Sequence, residues 1–205
     1  MNIISKQILS FILLLFFSLS FCQNTNKDSL RGKFTYLLEY KPNLSDKDYI
    51  VKELYSLQVS DKRSFFISEN NLKFDSIFTA QYSRSNSIDL TNIPSPKSNY
   101  LIIQTNQITE FYESVGMTVF SYNSPIIKDW KLINETKTIN SFVCRKAEVS
   151  YKGREWIAWY TTDIPLPYGP YKFSGLPGLI VKIIDKTGDY KFELVKSEPN
   201  SNLKG

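Results

Sequence analysis

Residues 168–194 read YGPYKFSGLPGLIVKIIDKTGDYKFEL, and the pattern of this stretch decides the fold class. Leu176-Pro177-Gly178-Leu179 suits a type II turn, because proline presets φ at the second position and glycine accepts positive φ at the third. Residues 179–184 follow as a short apolar strand. Asp185-Lys186-Thr187-Gly188 makes the next turn, with Asp first and Gly fourth. Tyr190-Lys191-Phe192-Glu193-Leu194 then alternates apolar and polar, which puts Tyr190, Phe192 and Leu194 on one core-facing side. Two strands joined by a tight turn are the unit of an antiparallel sheet.

The same unit recurs toward the N-terminus. Residues 32–41 form a strand with Phe34, Tyr36 and Leu38 on one face. A loop over 42–48 precedes strands at 52–60 and 62–68, joined at Ser60-Asp61. Strands are expected at 99–105, 108–114 and 117–122, with hairpin turns at Asn106-Gln107 and Val115-Gly116. Residues 141–151 and 154–162 pair around Lys152-Gly153. The run from Arg154 to Tyr160 is apolar on both faces, which predicts a central strand covered on both sides. Only residues 72–84, with Phe74, Ile77, Phe78 and Tyr82, carry helical spacing. Residues 85–98, with Pro94 and Pro96, read as a loop. The expected class is mainly β (β-rich α+β): a curved antiparallel sheet or half-barrel with one short helix, not βαβ units.

The chain has 205 residues, enough for one domain of ordinary size, placed at 32–205 after a flexible segment at 23–31. Fourteen Phe, 13 Tyr and 3 Trp fit a pleated, half-buried surface. Lys and Arg total 25 against 20 acidic residues, a net charge of +5. Removing residues 1–22 takes Lys6 and no acid, leaving 24 against 20. The excess is dispersed, without the dense basic runs of a nucleic-acid surface, so no nucleic-acid partner is expected.

Residues 1–22 are laid out as a secretory signal peptide: Lys6, an apolar core from Ile8 to Phe17, then small residues. Cleavage after Cys22, with Ser20 and Cys22 as the small side chains, would leave Gln23 first. A lipobox at Leu19-Ser20-Phe21-Cys22 is the weaker alternative, because Phe21 stands where Gly, Ala or Ser is normal. Membrane association is expected only if Cys22 is lipidated. The expected location is the periplasm or outer envelope.

The segment also carries a family pattern. Gly175-Leu176-Pro177-Gly178-Leu179-Ile180 spells the hexapeptide for which the GLPGLI family of exported bacterial proteins is named. Trp130, Cys144-Arg145-Lys146-Ala147, Gly153-Arg154, Ala158-Trp159-Tyr160 and Gly169-Pro170 stand where that family's landmarks are expected. The chain resembles the family strongly over residues 125–195 and weakly in its first half. The resemblance implies a β-rich envelope protein. It brings no activity, cofactor or catalytic residue to carry over. Many members continue beyond the last hairpin, so this chain is expected to be short or incomplete at Gly205.

Chemistry is sparsely signalled. Without histidine there is no Ser-His-Asp, Cys-His or His-ligated metal arrangement. No catalytic residue, metal or cofactor is assigned. Asp46 and Asp48 lack the Gly and terminal Glu of a calcium loop. Gly175 to Gly178 precedes a strand-like run rather than a helix, so it reads as a structural turn and not a phosphate cradle. Gly169, Pro170, Gly175, Leu176, Pro177, Gly178, Leu179 and Ile180 are therefore structural motif residues. Arg154, Trp156 and Trp159 form a candidate ligand face. Glu148 and Glu155 sit on paired strands and offer a conceivable acid–base pair. Cys144 reads as a small buried apolar residue. The expected function is a binding or accessory envelope protein whose partner is another envelope protein or an apolar ligand. The alternatives are a carboxylate-dependent periplasmic hydrolase and an accessory subunit of an outer-membrane transporter.

Overall fold

The computed structural model describes residues 28–43, 46, 48–85, 89, 91 and 93–200. The signal-peptide and lipobox readings, and residues 23–27, lie outside the described residues. In chain order the elements are β1 (Leu30–Tyr40), β2 (Val51–Ser60), β3 (Ser64–Ser68), α1 (Glu69–Ser85), β4 (Tyr100–Gln104), β5 (Ile108–Val115) and β6 (Thr118–Pro125). Then follow β7 (Lys131–Ile139), β8 (Phe142–Tyr151), β9 (Arg154–Thr161), β10 (Leu179–Asp185) and β11 (Tyr190–Pro199). The protein is mainly β, as the alternating segments require. The eleven strands make one antiparallel sheet in the order β6-β5-β4-β3-β2-β1-β11-β10-β9-β8-β7. It is two meanders, β1–β6 and β7–β11, joined where β1 pairs with β11.

Connectivity forces this sheet to curve. β6 and β7 are its opposite edges. Laid flat, ten strand spacings of about 4.8 Å would separate the edges by roughly 48 Å. Six peptide steps from Pro125 to Lys131 span at most about 20 Å. The sheet therefore curls until its edges approach at that end. Bulges supply local bends: the register shifts at Val181 of β10, at Val195 of β11 and between Ile133 and Thr136 of β7.

The concave side is filled by core-facing residues of the strands and by the insert between β9 and β10. Phe34, Tyr36 and Leu38 of β1 are buried, as are Tyr55, Leu57 and Val59 of β2. Within the insert, Ile164, Leu166, Tyr168, Phe173 and Leu176 are buried too. Its residues 171–174 reach both halves of the sheet. Tyr171 packs on Tyr100 of β4 and Phe192 of β11, Lys172 on Phe111 of β5 and Tyr122 of β6, and Phe173 on Tyr151 of β8 and Trp156 of β9. Only a segment inside the curl can touch all six strands.

One expectation is corrected here. Gly178 does not have positive φ; among the described residues the positive-φ glycines are Gly116, Gly153, Gly175 and Gly188. The Gly178 N–H instead bonds the Leu176 carbonyl at 2.8 Å, a γ-turn around Pro177, not a type II turn. Equivalent bonds close γ-turns around Pro165 and Pro167. Proline's fixed φ suits either turn, so the local sequence does not separate them. The glycine is needed for space. A Cβ on Gly178 would lie 2.7 Å from the Thr161 carbonyl carbon and closer still to its oxygen.

β7 is a strand over residues for which no element was expected. It is an edge strand with eight of nine residues outside the core, and its bulge breaks the alternation. β9 is interior, between β8 and β10, with Trp156, Ala158, Trp159 and Tyr160 buried from both faces. Helix α1 starts at Glu69 and buries no residue; Phe74, Phe78 and Tyr82 stack along it at one-turn spacing on its exposed side.

Candidate functional site

A cavity of about 370 Å³ opens beside the insert. That is within the roughly 300–1,000 Å³ of small-molecule sites. Its walls are aromatic rings delivered by period-two alternation from distant strands. Tyr55, Phe66, Phe192, Tyr171 and Tyr100 form a closed circuit with centroid separations of 4.9, 6.1, 6.3, 5.9 and 5.5 Å. Four of these five, all but Phe66, line the cavity. On the other side Tyr40 stacks on Tyr190 at 5.9 Å, and Trp156 lies 6.4 Å from Tyr190.

Tyrosine, unlike phenylalanine, leaves a hydroxyl at each wall position. Burial pushes the phenols of Tyr55, Tyr100 and Tyr171 above their ordinary value. A protonated phenol can donate a hydrogen bond as well as accept one. Behind Tyr55 lies Glu53, a buried carboxylate. It accepts from Ser68 Oγ at 2.7 Å, the Lys97 N–H at 3.1 Å, the Tyr55 hydroxyl at 3.1 Å and Ser98 Oγ at 3.3 Å. Those four donors offset its desolvation.

Two residues of the insert show strain and burial that the wall depends on. Tyr171 has φ of 54°, at the second place of a turn closed by the Phe173 N–H on the Pro170 carbonyl. Glycine is the usual occupant of such a position. The tyrosine is held there by its ring contacts. Lys172 is 4% exposed. Its Nζ stands 4.0 Å from the Phe111 centroid, 4.6 Å from Tyr171 and 4.8 Å from Tyr122, and it bonds the Tyr122 hydroxyl. Among the described residues no carboxylate pairs with it. The ring faces take the place of a counter-ion.

The candidate face read from the sequence is divided by the sheet. Arg154 and Trp156 share a strand face and both line the cavity. Trp159 faces the other way, under Lys137, whose Nζ is 5.7 Å above its ring. The motif residues Gly169, Pro170, Gly175, Leu176, Pro177, Gly178, Leu179 and Ile180 do not line it; they build the insert and its exit into β10. A Cβ on Gly169 would sit 2.7 Å from the Ile180 side chain, and one on Gly175 2.7 Å from the Ile127 carbonyl oxygen. Each motif glycine thus marks close packing.

Glu148 and Glu155 do not converge as an acid–base pair. Glu148 faces Lys146 at 3.5 Å and Lys186 at 4.0 Å, while Glu155 accepts from Ser150. Asp46 Oδ1 caps the N–H groups of Asp48 and Tyr49, an ordinary loop bond. Cys144 is wholly buried, and burial pushes its thiol up to about 11, so little reactive thiolate exists at neutral pH.

Sequence reasoning missed Tyr40, Tyr55, Tyr100, Tyr171 and Tyr190 as a site. The available signal was tyrosine, rather than leucine or valine, at core-facing positions of β1, β2 and β11.

Residues 148–182 match the model of one family. That family is described as a protein of unknown function (Porph_ging). The matched stretch runs from β8 through the insert into β10, the part that packs the interior and supplies Arg154, Trp156 and Tyr171. No curated protein matches the chain. Among solved structures it is similar to two titled "Structure of PNGF-II", in space groups C2 and P21. The TM-scores are 0.58 and 0.57 at 13% identity, over 84% and 85% of this chain. The chain spans less than a third of their length, 28% and 30%. At that identity the likeness establishes the fold alone.

Proposed function

We propose that this chain is an exported envelope protein of the GLPGLI type that binds a small, largely apolar ligand in the aromatic cavity of its curved sheet. The observation that carries the reading is the cavity itself. Rings from β1, β2, β4, β9, β11 and the insert converge on space they do not fill. The apolar run after Lys6 supports export. Glu148 and Glu155 are engaged separately by Lys146, Lys186 and Ser150, so hydrolysis by that pair has no support from the geometry.

The test is native purification from the cells that make the protein, followed by mass spectrometry of the intact complex. The expected result is a mature chain beginning at Gln23 that carries one small molecule, absent from the Tyr190→Ala variant. Ligand-free protein under gentle extraction, from both forms alike, contradicts the binding reading. A chain retaining residues 1–22 contradicts export with cleavage.

A further inference from the structure

The charge on the cavity wall narrows the ligand class. Only two lining residues carry formal charge, Lys152 and Arg154, and both are cationic. No lining residue is a carboxylate.

Lys152 and Gly153 form the two-residue turn between β8 and β9, with φ of 52° and 76°. Asn or Gly normally takes the first such place, and lysine has no conformational advantage there. The turn sets Lys152 against the cavity. Among the described residues its ammonium has neither a carboxylate nor a hydrogen-bond partner. Arg154 is held from behind. Its Nη1 donates to Asp185 Oδ2 at 2.5 Å, Asp189 Oδ2 at 3.1 Å and Thr187 Oγ1 at 3.2 Å. The guanidinium carbon lies 4.9 Å over the Tyr190 ring. Every hydrogen bond it makes among the described residues uses Nη1, leaving Nε and Nη2 as unspent donors. A guanidinium fixed through one nitrogen and stacked on an aromatic wall is preorganised for an anion.

We infer that the cavity takes an amphipathic anion: a flat apolar body stacked between the rings, with a carboxylate or similar oxyanion met by Lys152 and Arg154. This rests on the cavity being the ligand site. The acidic partners of Arg154 orient it, and Glu53 is already engaged by four donors behind Tyr55.

A matched pair of probes tests it. 2-Naphthoate and 2-naphthamide present the same ring system with and without charge. Titrated into the purified protein by calorimetry at low salt, the carboxylate should bind about tenfold more tightly than the amide, the worth of one charge-assisted contact. The preference should shrink with added salt. Lys152→Gln sits in an exposed turn and should keep the fold while losing about half of the preference on a logarithmic scale. Lys152→Gln with Arg154→Gln should abolish it, the fold being verified by circular dichroism. Equal binding of both probes overturns the anion inference and leaves the apolar cavity standing. Binding of neither overturns the cavity reading and this inference with it. A preference unchanged by Lys152→Gln places the anion elsewhere and overturns the assignment.

Discussion

Gly178→Ala is expected to abolish folding. Its new methyl carbon would sit 2.7 Å from the Thr161 carbonyl carbon and 3.2 Å from the Thr162 Cα, against backbone that two strands hold in place. Neither side can yield without opening the β9–β10 pairing at Leu179 and Thr161. The cost exceeds about 4 kcal/mol, the range reserved for disrupted cores. Gly178→Asn separates this account from a turn-based one. Asparagine tolerates positive φ, so a type II turn would accept it. Overlap with Thr161 predicts that it fails like alanine. Gly188→Asn is the control: φ is 73° and nothing lies within 4 Å of the added atom, so stability should change by less than about 1 kcal/mol. Thermal unfolding followed by circular dichroism reads all three. A cooperative transition in Gly178→Asn near the wild-type temperature would contradict the contact.

The second large effect is Phe173→Ala. Phe173 is fully buried, with ring centroids of Trp156 at 4.6 Å, Tyr151 at 5.7 Å, Tyr171 at 6.2 Å and Trp130 at 6.4 Å. It ties the insert to β8 and β9, while its neighbours Tyr171 and Lys172 reach across to β4, β5 and β6. Removing the ring should cost about 3–5 kcal/mol, since walls held by strand pairing cannot collapse onto the gap. Phe173→Leu retains most of the volume and should cost less than half as much. Chemical denaturation measures both. A loss under about 1 kcal/mol for the alanine variant would mean that the insert is not the filling of the curl.

Much of the sheet was legible in the sequence because several strands carry their own period-two signal. Phe34, Tyr36 and Leu38 mark β1, and Phe192 and Leu194 mark β11, without reference to any partner. The hairpin turn at Lys152-Gly153 was legible for the same local reason. β7 was not, because an edge strand such as Lys131–Ile139 buries almost nothing and its bulge interrupts the alternation. Gly178 was placed correctly but for the wrong cause. Its demand comes from Thr161, a residue distant enough along the chain that no turn rule includes it. The candidate face shows the same boundary. Arg154, Trp156 and Trp159 were grouped as one face, but Trp159 lies on the other side of the sheet, and the tyrosines that complete the cavity come from β1, β2, β4, β11 and the insert. Their convergence depends on the curl, and the curl depends on the short link between β6 and β7. Neither is written in any single window of sequence. The buried Lys172 was equally hidden, since a lysine in a loop normally reads as solvated.

Fluorine NMR of protein labelled with 5-fluorotryptophan gives the most direct test of an aromatic cavity inside the curl. The chain has three tryptophans, and of these Trp156 alone borders the cavity. Titration with naphthalene, an uncharged probe, should move the Trp156 resonance and leave those of Trp130 and Trp159 in place. Three unmoved resonances, or a Trp159 shift as large as that of Trp156, would contradict the account.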